Sequence, residues 1–215
     1  MKHSILLIRH DEKALKRIAS MHRICVFTGS NLGVRPEYQQ AARALAEEMV
    51  ARGLGLVYGG ASVGLMGVLA NTVLAEGGEV IGVIPRGLFR REVPHMGLTE
   101  MHEVNSMHER KALMADLADG FIALPGGFGT FDELFEITTW AQIGLHSKPI
   151  GVLDVAGYFA PLIALIVHAS TEGFIPAAHQ SILMREDDPA TLLDRFAAYA
   201  PPVSVSKWTE LPPER

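Results

Sequence analysis

The chain has 215 residues, 48% hydrophobic and 20% charged, with a formal net charge of −5 and a pI near 6.0. That size and composition suit one globular domain with a well-filled core, and the acidic balance excludes a broad basic surface of the kind that binds nucleic acid through its phosphates. The single cysteine, Cys25, excludes an internal disulfide; set in the apolar run ICVF, it reads as a buried thiol in a reducing compartment.

Residues 1–20 carry mixed charge and one weak helical stretch. Their opening, MKHSILLIRHDEKALK, has only four consecutive apolar residues, too few for a signal-peptide core, and no later run reaches the length of a membrane span. A soluble cytoplasmic protein with no membrane partner is expected. MHRICVFTGS offers an alternative start at Met21, so 1–20 is set apart as an extension.

From Arg23 onward, short β-branched runs alternate with longer stretches of helical period, the pattern of a parallel sheet wrapped by helices. Strands are predicted at 23–29 (RICVFTG), 54–60 (LGLVYGG), 79–85 (EVIGVIP), 120–126 (GFIALPG) and 148–154 (KPIGVLD), with weaker ones in LTEMHEV and SILM. After the first strand, Pro36 suits a first helical turn, and Tyr38, Ala41, Leu45 and Met49 share a face that Gly53 can end. Further helices are predicted near 63–76, 105–118, 130–144, 158–171 and 189–199. The expected class is α/β: a Rossmann-like, doubly wound parallel sheet with helices on both faces, forming one domain over 21–200. The proline-rich stretch 201–215, PPVSVSKWTELPPER, reads as a tail.

Three strands end in glycine-bearing turns: TGSNLG (28–33), YGGASVGLMG (58–67) and PGGFGT (125–130). An open α/β sheet brings the carboxyl ends of its strands to one edge, so these turns converge, and free N–H groups at the following helix starts attract anions. That reads as phosphate binding. The better-known fingerprints fail, because Leu65 stands where a Walker loop needs lysine and Asp132 where the dinucleotide pattern needs its third glycine.

Two charges fall on apolar faces. Arg110 shares a stripe with Met107, Met114 and Leu117, and an arginine facing a core needs a carboxylate or phosphate partner. Lys111 is rotated about a hundred degrees away, to the rim or to solvent. Glu133 shares a face with Ile137, Trp140 and Ala141, and Thr130 and Glu133 also match a capping box. Both readings of Glu133 stand at this point, structural cap or acid-base group. No metal is expected: HER at 108–110 has Ala112 where HExxH needs its second histidine.

MHERK (107–111) followed by PGGFGTFDE (125–133) resembles the paired signature M-x-x-R-K and P-G-G-x-G-T-x-x-E of the "lonely guy" proteins, cytokinin riboside 5′-monophosphate phosphoribohydrolases. The similarity runs from about Arg23 to about Arg195 and includes CVFTGS, GLMG, GVIP, TTWAQIGLHSKPIG and GYF. The resemblance implies a homodimer that hydrolyses the N-glycosidic bond of a nucleoside 5′-monophosphate, releasing an adenine-type base and ribose 5-phosphate, with no cofactor. It implies a catalytic pair of Arg110 and Glu133. Substrate contacts would come from Gly29, Ser30, Gly59, Gly60, Glu92, Lys111, Gly126, Gly127, Gly129, Thr130 and Thr139. Ala61 departs from the family's Y-G-G-G at the second turn. The rival class is a binding protein that carries a nucleotide or a molybdenum cofactor on the same turns without turnover. A pyridoxal-phosphate decarboxylase fits worse, since no lysine lies on an evident apolar face to form the Schiff base.

Overall fold

The computed structural model describes residues 21–88 and 93–201, over which strand and helix alternate except between the third and fourth strands. In chain order these are β1 (Arg23–Phe27), α1 (Pro36–Ala51), β2 (Gly55–Tyr58), α2 (Gly64–Ala75), β3 (Val80–Pro85) and β4 (Glu100–Val104). There follow α3 (Met107–Leu117), β5 (Gly120–Ala123), α4 (Phe128–Gln142), β6 (Ile150–Leu153), α5 (Ala160–Thr171), β7 (Leu183–Glu186) and α6 (Pro189–Ala197). All five strong strand predictions are present, and the two weaker ones are β4 and β7.

The seven strands form one parallel sheet in the order β4-β3-β2-β1-β5-β6-β7. The chain winds outward from β1 to β4, then returns to the centre and adds β5 to β7 on the other side. β1 and β5 are therefore neighbours at the point where winding reverses, and a crevice opens there at their carboxyl ends. Register carries this to single residues: Ile24 lies opposite Leu56 on β2 and Gly120 on β5.

Alternation along β1 explains why both faces are covered. Ile24 and Val26 join the core under α1, α2 and α6, whereas Cys25 and Phe27 join the core under α3, α4 and α5. Burying each such large apolar side chain contributes about 1.5–3 kcal/mol, so a polar substitution on either face of the central strands would be poorly tolerated. Helix α5 is the exception. Its sequence APLIALIVHAST is apolar nearly throughout, yet none of its residues is buried.

The amino edge of the sheet is held by paired polar groups. Asp119, just before β5, accepts from the backbone N–H groups of His22 (2.7 Å) and Arg23 (3.1 Å), joining the chain's entry into β1 to β5. Arg23 in turn donates twice to Glu79 at the start of β3, over 2.7 and 3.1 Å.

Candidate active site

At the carboxyl edge the turns after β1 and β5 lock together. The Gly29 N–H and the Thr28 hydroxyl both donate to the Pro125 carbonyl, over 3.1 and 3.2 Å. Beside this junction lies a cavity of about 250 Å³, walled by Gly29 and Ser30 after β1 and Gly59 after β2. Met107 and Arg110 on α3 close one side, and Gly127 to Thr130 with Asp132 and Glu133 on α4 close the other.

Helix α4 begins at Gly127 as N-cap, and no side chain caps it. The capping box expected of Thr130 and Glu133 is therefore not formed. The helix starts two residues earlier than the sequence suggested, and Thr130 is already in its first turn. A Cβ built on Gly127 or Gly129 would meet nothing within 4 Å. Uncapped N–H groups, the positive end of the helix dipole and open space beside two glycines together suit an anion.

The other glycines of the site make room for its own parts. A Cβ on Gly59 would sit 2.1 Å from Arg110 Nη2, and one on Gly126 would sit 2.1 Å from Thr130 Oγ1 and 2.9 Å from the Gly29 nitrogen. Gly59 is thus the clearance through which the guanidinium reaches the cavity, and Gly126 lets the first turn of α4 close against the β1 turn. Gly60 does not line the cavity; it takes φ +80° and its carbonyl accepts from His95 N–H.

Arg110 and Glu133 are 6% and 9% exposed, and Arg110 Nη2 stands 3.6 Å from Glu133 Oε1. The guanidinium is loosely held: its Nε has no partner, and Nη1 reaches only Met107 Sδ at 3.8 Å. An arginine carries five donors in a fixed fork, so donors remain for a ligand. The pair also acts on the core beneath it. Burial pushes the Cys25 thiol well above its ordinary pKa, the charge of Glu133 adds to the shift, and Arg110 opposes it. Cys25 is an inert structural thiol.

Lys111 does not line the cavity. Its ammonium bridges Asp132 (3.1 Å) and Glu136 (3.0 Å), tying α3 to α4. Burial works against its charge, but the hydrogen bonds to Glu136 and Asp132 outweigh that and raise its pKa. Thr139 is exposed, more than two turns beyond the start of α4, with its hydroxyl donating to the Phe135 carbonyl over 2.7 Å. Glu92, with Arg90 and Arg91, lies outside the described residues. The structure therefore gathers Gly29, Ser30, Gly59, Arg110, Gly127, Gly129, Thr130 and Glu133 around one cavity, with Gly126 immediately behind it.

Sequence reasoning passed over several contributors. Ser106 caps α3, accepting from Glu109 N–H at 3.1 Å, while Glu109 accepts from Asn105 N–H at 2.8 Å. This fixes the turn from which Arg110 projects, and the S-x-x-E spacing was the signal available for it. Met66 also lines the cavity, but a methionine in an apolar helix carries no such signal.

Comparison with known proteins identifies the family and the fold. Residues 66–196 match the family model described as "Possible lysine decarboxylase". Of the lysines, Lys111 and Lys148 lie among the described residues; neither lines the cavity, and Lys148 Nζ donates to the Ala115 carbonyl at 2.8 Å. The chain is 48% identical, over 179 residues, to a probable cytokinin riboside 5′-monophosphate phosphoribohydrolase of Oryza sativa subsp. japonica, covering 83% of this chain and 79% of that protein. It is 46% identical over 190 residues to another rice protein named as that enzyme (88% and 78% covered), and 48% identical to one from Arabidopsis thaliana (83% and 82%). Among solved structures, the molybdenum cofactor carrier protein of Chlamydomonas reinhardtii superposes with a TM-score of 0.61 at 18% identity, covering 83% of this chain and 95% of that one. A molybdenum cofactor binding protein from Rippkaea orientalis gives 0.60 at 17%, with 81% and 94% covered. At that identity the structural likeness speaks for the fold alone.

Proposed function

The chain belongs to the family of the cytokinin riboside 5′-monophosphate phosphoribohydrolases, and from that premise we propose how its residues divide the work. The reaction is hydrolysis of the N-glycosidic bond of a nucleoside 5′-monophosphate, giving free base and ribose 5-phosphate. The substrate class we assign is adenosine 5′-monophosphates, with or without an apolar N6 substituent.

One observation carries the assignment of roles. A buried carboxylate and a partly unpartnered guanidinium, 3.6 Å apart, face the same cavity as the uncapped start of α4. The N–H groups at Gly127, Phe128, Gly129 and Thr130 hold the 5′-phosphate. Its binding energy fixes the ribose, so that C1′ lies near Glu133. As the C1′–N bond breaks, the sugar gains oxocarbenium character, and the Glu133 carboxylate stabilises that charge and orients the attacking water. Arg110 offsets the cost of burying Glu133 and uses its remaining donors on the substrate.

The test is incubation with AMP and with N6-isopentenyl-AMP, followed by assay for free base and ribose 5-phosphate, with Glu133→Gln as the control. Release of base by the wild type and its loss in the variant is the expected result. Binding without release would favour a carrier, for which a charge pair at the sugar has no use. The unphosphorylated riboside is expected to be a poor substrate, and equal turnover of riboside and monophosphate would refute phosphate anchoring.

We further propose a homodimer formed through the layer of α4 and α5. Leu165 and Val167 on α5, Phe174 just after it, and Ile143 and Leu145 following α4 are all exposed, and α5 is apolar nearly throughout with no residue buried within the protomer, which suits a helix covered by a partner. Sedimentation should show a dimer at micromolar concentration, and Leu165→Glu should shift it to monomer; a wild type that stays monomeric would sink this assembly.

A further inference from the structure

The peptide between Gly126 and Gly127 joins two residues without side chains, so it is the unit of this turn with the least intrinsic hold on its orientation. Its orientation matters, because the N–H of Gly127 leads the row of donors at the start of α4. The Gly126 carbonyl accepts a hydrogen bond from the Tyr158 hydroxyl. No peptide bond among the described residues is cis, and in a trans peptide the carbonyl and the following N–H point in opposite directions. Holding the Gly126 carbonyl on Tyr158 therefore aims the Gly127 N–H away from Tyr158; of the two hollows that Gly127 lines, one is bordered by Tyr158 and the other is the cavity of Glu133. A hydrogen bond on the carbonyl also polarises its peptide and strengthens the N–H as a donor.

Tyr158 is itself held with care. It follows the short turn Val155–Gly157, in which Ala156 takes φ +53°, a left-handed conformation that residues with a side chain rarely adopt. The turn is clamped by Asp154, whose buried carboxylate accepts from the Phe159 N–H at 2.6 Å and from Arg185 Nε at 2.7 Å. The Tyr158 ring sits edge-on to Phe159 and to Tyr38, with centroids 5.1 and 5.9 Å away. A strained turn, an ion pair whose carboxylate is buried, and two ring contacts thus converge on the position of one hydroxyl.

We propose that Tyr158 is a positioning residue for the 5′-phosphate: its hydroxyl sets the Gly126–Gly127 peptide so that the Gly127 N–H, with those of Phe128 and Gly129 after it, faces the anion. The proposal rests on the reading of the α4 start as the phosphate anchor. Tyr158→Phe tests it, since the ring and its contacts stay and only the hydroxyl is lost. The readouts are inhibition by ribose 5-phosphate and by free adenine, kcat and KM for the monophosphate the wild type turns over, and melting temperature. Ribose 5-phosphate inhibition and KM should weaken about tenfold, the loss of roughly one charge-assisted hydrogen bond. Adenine inhibition should be unchanged and kcat reduced less than threefold. Unchanged ribose 5-phosphate inhibition overturns the proposal while leaving the family reaction standing. So does equal weakening of both inhibitors with a lowered melting temperature, the mark of a merely structural role. A wild type insensitive to ribose 5-phosphate removes the anchor and this proposal together.

Discussion

The two edges of the same sheet treat charge in opposite ways. At the amino edge, Arg23 and Glu79 share two hydrogen bonds of 2.7 and 3.1 Å, and Asp119 satisfies two backbone N–H groups at once. At the carboxyl edge, Arg110 and Glu133 are far more buried, yet their closest approach is 3.6 Å and one guanidinium nitrogen has no partner. A buried guanidinium nitrogen without a partner is costly, and on the proposed function the substrate supplies the missing acceptor. The amino-edge pairs hold the fold together, and on the function proposed above the open guanidinium nitrogen at the carboxyl edge is kept for substrate.

The largest effect that would break this contrast is expected at Glu133. If it serves chemistry, Glu133→Gln lowers turnover roughly 10²- to 10⁴-fold while the melting temperature hardly moves. If it served the fold, as a cap would, the change would instead cost about 1 kcal/mol of stability and leave turnover alone. Steady-state kinetics beside thermal denaturation separates the two, and a stable, fully active variant would show that the edges do not differ in this way.

Gly59→Ala sharpens the same point without touching a charge. The new Cβ would fall 2.1 Å from Arg110 Nη2, so the guanidinium must move, and a displacement of about 1 Å at a reacting centre can cost about a hundredfold. We expect kcat/KM to drop by about that factor. An unaltered kcat/KM would mean that the position of Arg110 is not critical.

Arg110 and Glu133 were both legible beforehand. Arg110 stood out because a charge broke an apolar stripe of period 3.6, and Glu133 because it repeated the pattern on the next helix. The sheet was legible because β1, β2, β3, β5 and β6 are buried along nearly their whole length and so read as continuous apolar runs. Edge strand β4, EMHEV, is largely uncovered and gave only a faint signal. The start of α4 was misplaced because the capping-box pattern assumes a side-chain cap, whereas here backbone N–H groups are left open. The purpose of Gly59 could not be read at all. It depends on where an arginine fifty-one positions later (110 minus 59) arrives in space, and one-dimensional spacing does not carry that.

A smaller effect is expected at the amino edge. Asp119→Ala removes the acceptor from the N–H groups of His22 and Arg23; because water reaches both, stability should fall by only about 0.5–1.5 kcal/mol, with kcat and KM within twofold. A kinetic defect comparable to that of Gly59→Ala would erase the division between the edges.

The smallest effect concerns His146, which lies past the amino-edge end of α4 and just before β6. Its Nε2 bonds the Ile137 carbonyl at 2.9 Å, while its Nδ1 accepts from the Lys148 N–H at 3.1 Å. The ring is therefore neutral, with its proton on Nε2. Burial lowers its pKa; the bond to the Ile137 carbonyl opposes that, and the Lys148 charge adds to the lowering. Protonation at Nδ1 would also cost the bond from Lys148. With the folded value below the unfolded value of about 6.5, the unfolded chain takes up the proton first as pH falls. His146 therefore stabilises the fold fully above about pH 6.5, and that contribution is lost as pH drops from there through the folded value. Melting temperatures at pH 7.5 and pH 5.5 should differ less in His146→Gln than in the wild type. An equal difference in both would mean that this ring, despite its two hydrogen bonds, takes no part in holding the amino edge.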